Sequence, residues 1–569
     1  MAKFDPKSYE VEQYGPLKLE RLGRYVRLSS DWEPGEFEKH IENVKEHQEP
    51  FKKEINEKIR ELITIVEQYD PLELLSTVAV RNVFADAEAF SESTHKGKEA
   101  YIEYALSIAL SVKNPNLGIH ATKDAIERFN ALIDEIFNSV PWYFAVDGLD
   151  EGNDTKRGLR FKSLLSFLML RGDSYPVHHI DLVKGLFETH DNFFSGNYGF
   201  NVSQVISWVG EIEAQSLTAF NRYGEFTAKM HEMYQQFVRF TEEHKIDTSV
   251  SMEECMVIYN SLPEVQSKRK ELEELHEKLD YFIFELKVGE KLPQNFLDIL
   301  SSKFGDNEAF VLFEKAPGWP TNDSVISRKP IISHNGKYYC FAIQVVYRKL
   351  VSILEALIKE RDANYFKTTY QKTRGDYLVH KALECFSSLL PGAAVFDELY
   401  YETVIDGQRV RAETDGIIVF DTNLIIVEGK AGTFSIPARR GALPRLKHDI
   451  TELIDKAYDQ ALRTMRYINE TNIPEFENQN GTKVLVLENK SIFKNIFLVN
   501  VTLENLGYLA THLNSLKEFK VINDKEWPWS IFLNDLRVIS EIVETPSELL
   551  VYLKRRLRAN DYPRFRASD

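Results

Sequence analysis

Two four-residue apolar runs, Ile417-Ile418-Val419-Phe420 and Leu424-Ile425-Ile426-Val427, stand three residues apart. Branched apolar side chains without polar alternation suit strands buried on both faces. Asp421-Thr422-Asn423 between them predicts a tight turn, so the pair reads as a hairpin. Charge gathers at one end of each strand. Glu413 and Asp415 precede the first, and Glu428 and Lys430 follow the second. A hairpin folds those two ends together.

The rest of the chain has other textures. Residues 1 to about 35 are mixed and aromatic, with a short strand expected around 24–28. From 36 to about 288 apolar residues recur at helical spacing. Helices are expected over 37–69, 100–112, 122–137 and 203–240, with another opened by Pro176. The charged stretch 261–288 carries Glu–Lys pairs that support a helix in solvent. No clear repeat emerges. FFSGNYGFNVS, 193–203, reads as a loop leading to a cap at Asn201 or Ser203, with base or partner binding as the alternative. Beyond 308 the spacing predicts strands at 309–313, 329–333 and 338–343, with Asn335-Gly336 as a hairpin turn, then a helix over 345–361. A helix follows from 365 to about 390, then a strand over 395–405 and a turn at Asp406-Gly407. After the central hairpin come a helix over 450–469, strands at 483–487 and 496–501, a helix at 503–516, a strand at 529–532 and a helix at 547–558. The pattern divides the chain into a large all-α region (1–289), a small α+β connector (290–364) and a C-terminal α/β domain with a mixed sheet (365–569).

Composition narrows the classes. A chain of 569 residues exceeds a single core, and its 43% apolar and 28% charged residues match a soluble globular protein. A net charge of −17 argues against a general polyanion binder, so any nucleic-acid contact needs a local basic patch. Cys255, Cys340 and Cys385 are far apart and form no CxxC pair, which speaks against a disulfide framework or zinc finger and for a reducing compartment. The opening MAKFDPKSYEVEQYG lacks the apolar centre of a signal peptide, and no stretch has the apolar length of a membrane span. A cytoplasmic location is expected. His178, His179, Asp181, Glu188 and His190 lie close in sequence but match no known metal-ligand spacing, and read as solvated residues.

The charged ends of the hairpin carry the candidate chemistry. Two adjacent carboxylates repel unless a divalent cation lies between them. Mg²⁺ takes oxygen ligands and typically one or two carboxylates, keeping places for water and phosphate. Glu428 and Lys430 are two apart on a strand and so share a face. The ammonium can reach an activated water or the charge that builds on a phosphate. Gly429 leaves room for a neighbouring backbone or substrate.

Asp415, a thirteen-residue step to Glu428, one spacer and Lys430 resemble the signature of the PD-(D/E)XK nuclease superfamily. Thr414 stands where that family often has proline. The resemblance covers about 365–535 and implies a restriction-endonuclease-like fold. It also implies an Mg²⁺-dependent endonuclease (Mn²⁺ as a possible substitute), with Asp415 and Glu428 as metal ligands and Lys430 as catalytic residue. The family commonly places an acid on the helix before the core strands. Asp376 and Glu384 are the candidates there, and Glu413 is a possible outer acid. Many members carry a Gln or basic residue on the helix after the core, and Gln460 matches, with Arg463 and Tyr467 on adjoining turns. Glu402 could lie near the same edge, or in a cross-strand charge pair. Residues 429–447 hold no acid, and Arg439, Arg440, Arg445 and Lys447 read as phosphate contacts on an irregular loop, or as a mobile solvated loop. Lys554, Arg555, Arg556 and Arg558 either extend that footprint or complement a helix end. DNA is the expected partner, with a homo-oligomer possible. The architecture resembles bacterial anti-phage effectors in which a helical region regulates a nuclease. The alternatives are an RNA-directed nuclease and an inactive nuclease fold kept as a nucleic-acid-binding or scaffold protein.

Overall fold

The computed structural model describes residues 9–14, 17–22, 25–30, 39, 46–88, 98–146, 154–169, 174–243, 252–278, 283–405, 407–517, 520–522 and 526–562. An antiparallel meander, β1 (Tyr9–Tyr14), β2 (Leu17–Leu22) and β3 (Tyr25–Ser30), precedes the helices. Helices Gln48–Gln68, Pro71–Glu88, Lys98–Ser111 and Lys123–Val146 bury one apolar core, which Phe310 and Trp319 from the connector complete. Pro141 lies within the last of these helices. Helices Asp154–Met169, Pro176–Phe187, Asp191–Tyr198 and Val202–Glu243 follow, then Met252–Asn260 and Pro263–Lys278.

Several expectations change here. The stretch 193–203 is mostly helix, closed by Gly199 at φ 76. The next helix is capped reciprocally, Asn201 Oδ1 accepting from Gln204 N and Gln204 Oε1 from Asn201 N, both at 2.9 Å. The cap is thus at Asn201, one of the two positions expected, and Phe194 and Phe200 pack in the core. His178, His179 and His190 are buried rather than solvated. Burial pushes the His178 and His190 imidazoles below their ordinary value. The charged stretch is helical over Pro263–Lys278, residues 279–282 lie outside the described residues, and Glu285–Leu286 is a strand, β4. The expected strand at 309–313 is a single helical turn, Glu308–Val311, held by contacts to helix Lys98–Ser111.

The connector sheet joins β4 to β5 (Ser301–Ser302), β6 (Ile331–His334) and β7 (Lys337–Tyr339) in the order β4-β7-β6-β5. Its Asn335-Gly336 turn has φ values of 49 and 75, as this dipeptide favours. Helix Ile343–Arg361 leads to a π-helical turn, Phe366–Tyr370, and helix Gln371–Leu389.

The C-terminal sheet has seven strands: β8 (Ala394–Ile405), β9 (Gln408–Phe420), β10 (Asn423–Lys430), β11 (Glu475–Glu477), β12 (Lys483–Val486), β13 (Asn495–Thr502) and β14 (Trp529–Phe532). Their order is β12-β11-β8-β9-β10-β13-β14, antiparallel as far as β10 and parallel from β10 to β14. The sheet is therefore mixed. Phe420 pairs with Asn423, so the hairpin turn is the dipeptide Asp421-Thr422, with Asp421 at φ 52. Ile425 and Val427 face helix Gln371–Leu389 through Leu378, Ala382 and Leu383. Leu424 and Ile426 face the opposite layer, helix Lys456–Glu470, through Tyr458, Ala461 and Leu462. The second run is thus buried on both sides, as its composition required.

Two further expectations are corrected in the C-terminal part. The stretch expected as helix over 503–516 holds two single turns, Tyr508–Thr511 and Leu513–Leu516. The basic loop is largely helical. Ile436–Arg439 and Leu443–Ile450 run through a π-helical turn, Thr451–Asp455, into Lys456–Glu470. This segment docks on helix Asp154–Met169. Leu159 enters the core beside Phe434 and Ala438, and Ser163 Oγ donates to Ala438 O at 3.4 Å. Gly441, at φ 79, fits beneath Arg160, where an added Cβ would lie 2.6 Å from Arg160 Cγ. Packing from a distant helix orders what Pro and Gly leave irregular in the sequence.

Candidate metal and phosphodiester site

The hairpin register pairs Gly416 with Val427, which sets Asp415 beside Glu428 at the open end. Asp415 Oδ2 accepts from Gly429 N at 2.7 Å, fixing the two strand ends to each other. Even-numbered side chains of β10 face helix Lys456–Glu470, so Glu428 and Lys430 project beneath that helix. Lys430 Nζ donates to Gln460 Oε1 at 2.5 Å. Helix and strand thus hold the ammonium between them.

Glu428 is fully buried. Its Oε1 accepts from Thr414 Oγ1 at 2.8 Å, and its Oε2 has no hydrogen-bond partner. Burial, and next the charge of Asp415, push the Glu428 carboxyl well above the usual carboxylate range, against the pull of Lys430 and the Thr414 hydroxyl. Burial raises Asp415 as well, opposed by the Gly429 N–H and Lys430. The two carboxyls act on each other: the Asp415 charge raises Glu428, and Glu428 in turn favours the ionised form of Asp415. With both ionised, Oε2 is a buried acceptor facing a like charge. That state needs a positive charge or a proton.

Strand alternation breaks where these groups meet. Ala412 and Ile417, of opposite parity, both pack in the layer of helix Lys456–Glu470. The faces switch between Thr414 and Ile417. Opposite the switch, Glu398 on β8 adopts φ 46, between the pairs Asp397–Gly416 and Leu399–Thr414. A left-handed backbone at a residue other than glycine costs roughly 1–2 kcal/mol, which the flanking pairs sustain. The switch turns Thr414 toward Glu428 and leaves Asp415 at the edge.

The other sequence candidates fall into place unevenly. The charge of Asp376 acts on Asp415, which puts this helix residue at the same edge. Glu384 instead accepts from Lys381 at 2.8 Å on the exposed helix surface. Glu413 accepts from Tyr400 Oη at 3.2 Å on an exposed part of the strand. Glu402 pairs in register with Arg411 on an exposed ribbon. Arg439 is held by Glu504 in an ion pair and donates Nε to Phe434 O at 3.1 Å. Arg440 Nε and Nη2 are buried without a hydrogen-bond partner. Arg445 and Lys447 are exposed on helix Leu443–Ile450. The structure adds Thr414, whose hydroxyl bonds Glu428, and gives Arg463 a place, its charge acting on Glu428 while Nε donates to Tyr401 Oη at 3.4 Å. Tyr467 is structural, bonding the backbone of Glu475.

Among the described residues no group of three or more His, Cys, Asp or Glu side chains is arranged to hold a metal ion. Asp415 and Glu428 form a pair. A pair suffices for Mg²⁺, which fills its remaining positions with water and substrate oxygens. The unpartnered Oε2 and the raised carboxyls fit such a cation. Among the same residues no helix is long and apolar enough to cross a membrane. No protein-family model, curated protein or solved structure matches the chain.

Proposed function

We propose that this protein is a metal-dependent endonuclease of PD-(D/E)XK type that hydrolyses phosphodiester bonds in DNA. The observation that carries this reading is half-buried Asp415 beside fully buried Glu428, with one Glu428 carboxylate oxygen unpartnered and, on the same strand as Glu428, the Lys430 ammonium held by Gln460. A helix before the strands and a helix after them, on opposite faces of a mixed sheet, also fit the restriction-endonuclease-like fold.

Asp415 and Glu428 would hold Mg²⁺, or Mn²⁺ in its place. The cation supplies the charge that polarises a phosphodiester and acidifies water. The protein's own groups do the rest. Gly429 N–H fixes Asp415, and Thr414 Oγ1 fixes Glu428. Gln460 aims the Lys430 ammonium, which steadies the attacking water and the negative charge growing on the phosphate oxygens. Arg463 adds positive charge beside Glu428. Water attacks phosphorus, the ester P–O bond breaks, and no covalent enzyme intermediate forms. Exposed Arg445 and Lys447 are the remaining backbone contacts, since Arg439 is engaged by Glu504. The helical region would regulate or assemble the nuclease, as in a bacterial anti-phage effector.

Plasmid DNA tests this reading. The full chain should nick or linearise it with Mg²⁺ and stop with EDTA. Glu428→Ala and Lys430→Ala should each lower the rate by about 100-fold or more, as removal of a transition-state charge donor does elsewhere. Cleavage indifferent to chelator or to both substitutions contradicts it. Parallel single-stranded RNA substrates decide between DNA and RNA. The pair count of two ligands favours one second reading, a nuclease fold retained for binding, which predicts DNA retention without cleavage.

A further inference from the structure

A cleft of about 600 Å³ lies away from the acid pair, between helix Pro546–Ala559 and the turns Tyr508–Thr511 and Leu513–Leu516. We propose that this cleft binds a small phosphate-bearing ring compound of the nucleoside monophosphate class. Its volume lies within the range of small-ligand sites, and it is open to solvent on one side.

The lining has a direction. Arg555 and Arg556 line it from the C-terminal half of the helix. Arg556 Nη2 donates to Thr511 O at 3.1 Å, so its guanidinium is oriented before any ligand arrives. Glu548, the one acid on the wall, lies at the other end of the helix. Its carboxylate is engaged in the helix cap, accepting from Glu544 N and Thr545 N at 3.1 Å. The arginine end is therefore a positive cleft in a chain of net charge −17. Guanidinium forks match phosphate oxygens better than point charges do. Tyr552 and Val551 give an apolar wall against which a ring can lie, and Asn514, whose Oδ1 accepts from Ser515 Oγ at 3.4 Å, brings an amide NH₂ that can donate to a base edge. Complementing the negative helix end accounts for basic residues in the last turn. It does not account for a concave wall with a ring and an amide facing the same space.

Calorimetry on the full chain, in EDTA so that the acid pair takes no part, tests the proposal with AMP, GMP, CMP and UMP as probes. At least one should bind saturably at one per chain. Arg555→Glu, at an exposed position, should weaken it by about tenfold or more, the loss typical of a charge-assisted contact. The melting temperature of that variant without ligand should stay within a few degrees of the parent, since one unfavourable charge near a helix end is a small cost. The matching nucleoside and inorganic phosphate should each bind more weakly than the nucleotide. The proposal is overturned if none of the four binds at millimolar concentration. Equal binding by phosphate alone, or full binding by the charge-reversed variant, also overturns it. None of these outcomes depends on phosphodiester cleavage, so the nuclease reading stands or falls separately.

Discussion

Thr414 and Glu428 show how closely the site depends on single atoms. The Thr414 hydroxyl is the only direct side-chain donor to Glu428 among the described residues. Thr414→Val keeps the shape and removes that donor, and should cost about 1–3 kcal/mol in urea unfolding, the usual price of an unsatisfied buried partner. The raised carboxyls make a second prediction. A carboxyl whose folded value lies above its unfolded value stabilises the fold below the unfolded value, near 4.5 for Glu428. That contribution is lost as pH rises through the folded value. Glu428→Gln should therefore melt higher than the parent at about pH 8, with the advantage shrinking toward about pH 4.5. Mg²⁺ at the higher pH should raise the melting temperature of the parent and not of the variant. A variant that melts lower than the parent at the higher pH would refute the strained-pair account.

The hairpin and its flanking helices place these atoms, and Gly429 is one of the close contacts between them. A Cβ there would lie 2.9 Å from Val379 Cγ2 on helix Gln371–Leu389. Gly429→Ala should cost about 1–3 kcal/mol by overpacking and push the helix outward. Chemical denaturation checks the size, and an unchanged midpoint would mean the helix yields freely. The approach that sequence suggested at Gly429 is thus made by a helix. The hairpin was legible because its apolar runs, turn and charged ends are local features. The bond between Lys430 and Gln460 was anticipated only as a nearby helix amide, since strand parity and helix phase had to coincide. The role of Thr414 was not legible, because nothing local announces the switch of faces opposite Glu398. The helices of the basic segment are illegible in the sequence for a related reason. They depend on Leu159 and Arg160, nearly 300 residues away in sequence.

Those long-range contacts bind the molecule together. One core joins Val183, Leu186 and Phe187 of the helical region to helix Gln371–Leu389, the sheet and helix Leu533–Ile542. Gly185 sits against Tyr377 so closely that an added Cβ would fall 1.9 Å from Tyr377 Cε2. A polypeptide limited to 365–569 would expose that core and should show no cooperative melting transition. Leu159→Ala in the full chain should lose about 2–5 kcal/mol, although it lies far in sequence from the acid pair. Loss of DNA cleavage should accompany it if the basic segment contributes to substrate binding. A fragment that melts cooperatively would show instead that the C-terminal part carries its own core.

Anomalous scattering from crystals grown with Mn²⁺ shows whether the two carboxyls share one cation. A single strong anomalous peak is expected between Asp415 and Glu428, and it should disappear in Glu428→Gln. A crystal that shows manganese elsewhere, with Asp415 and Glu428 sharing only a proton, would contradict a shared cation.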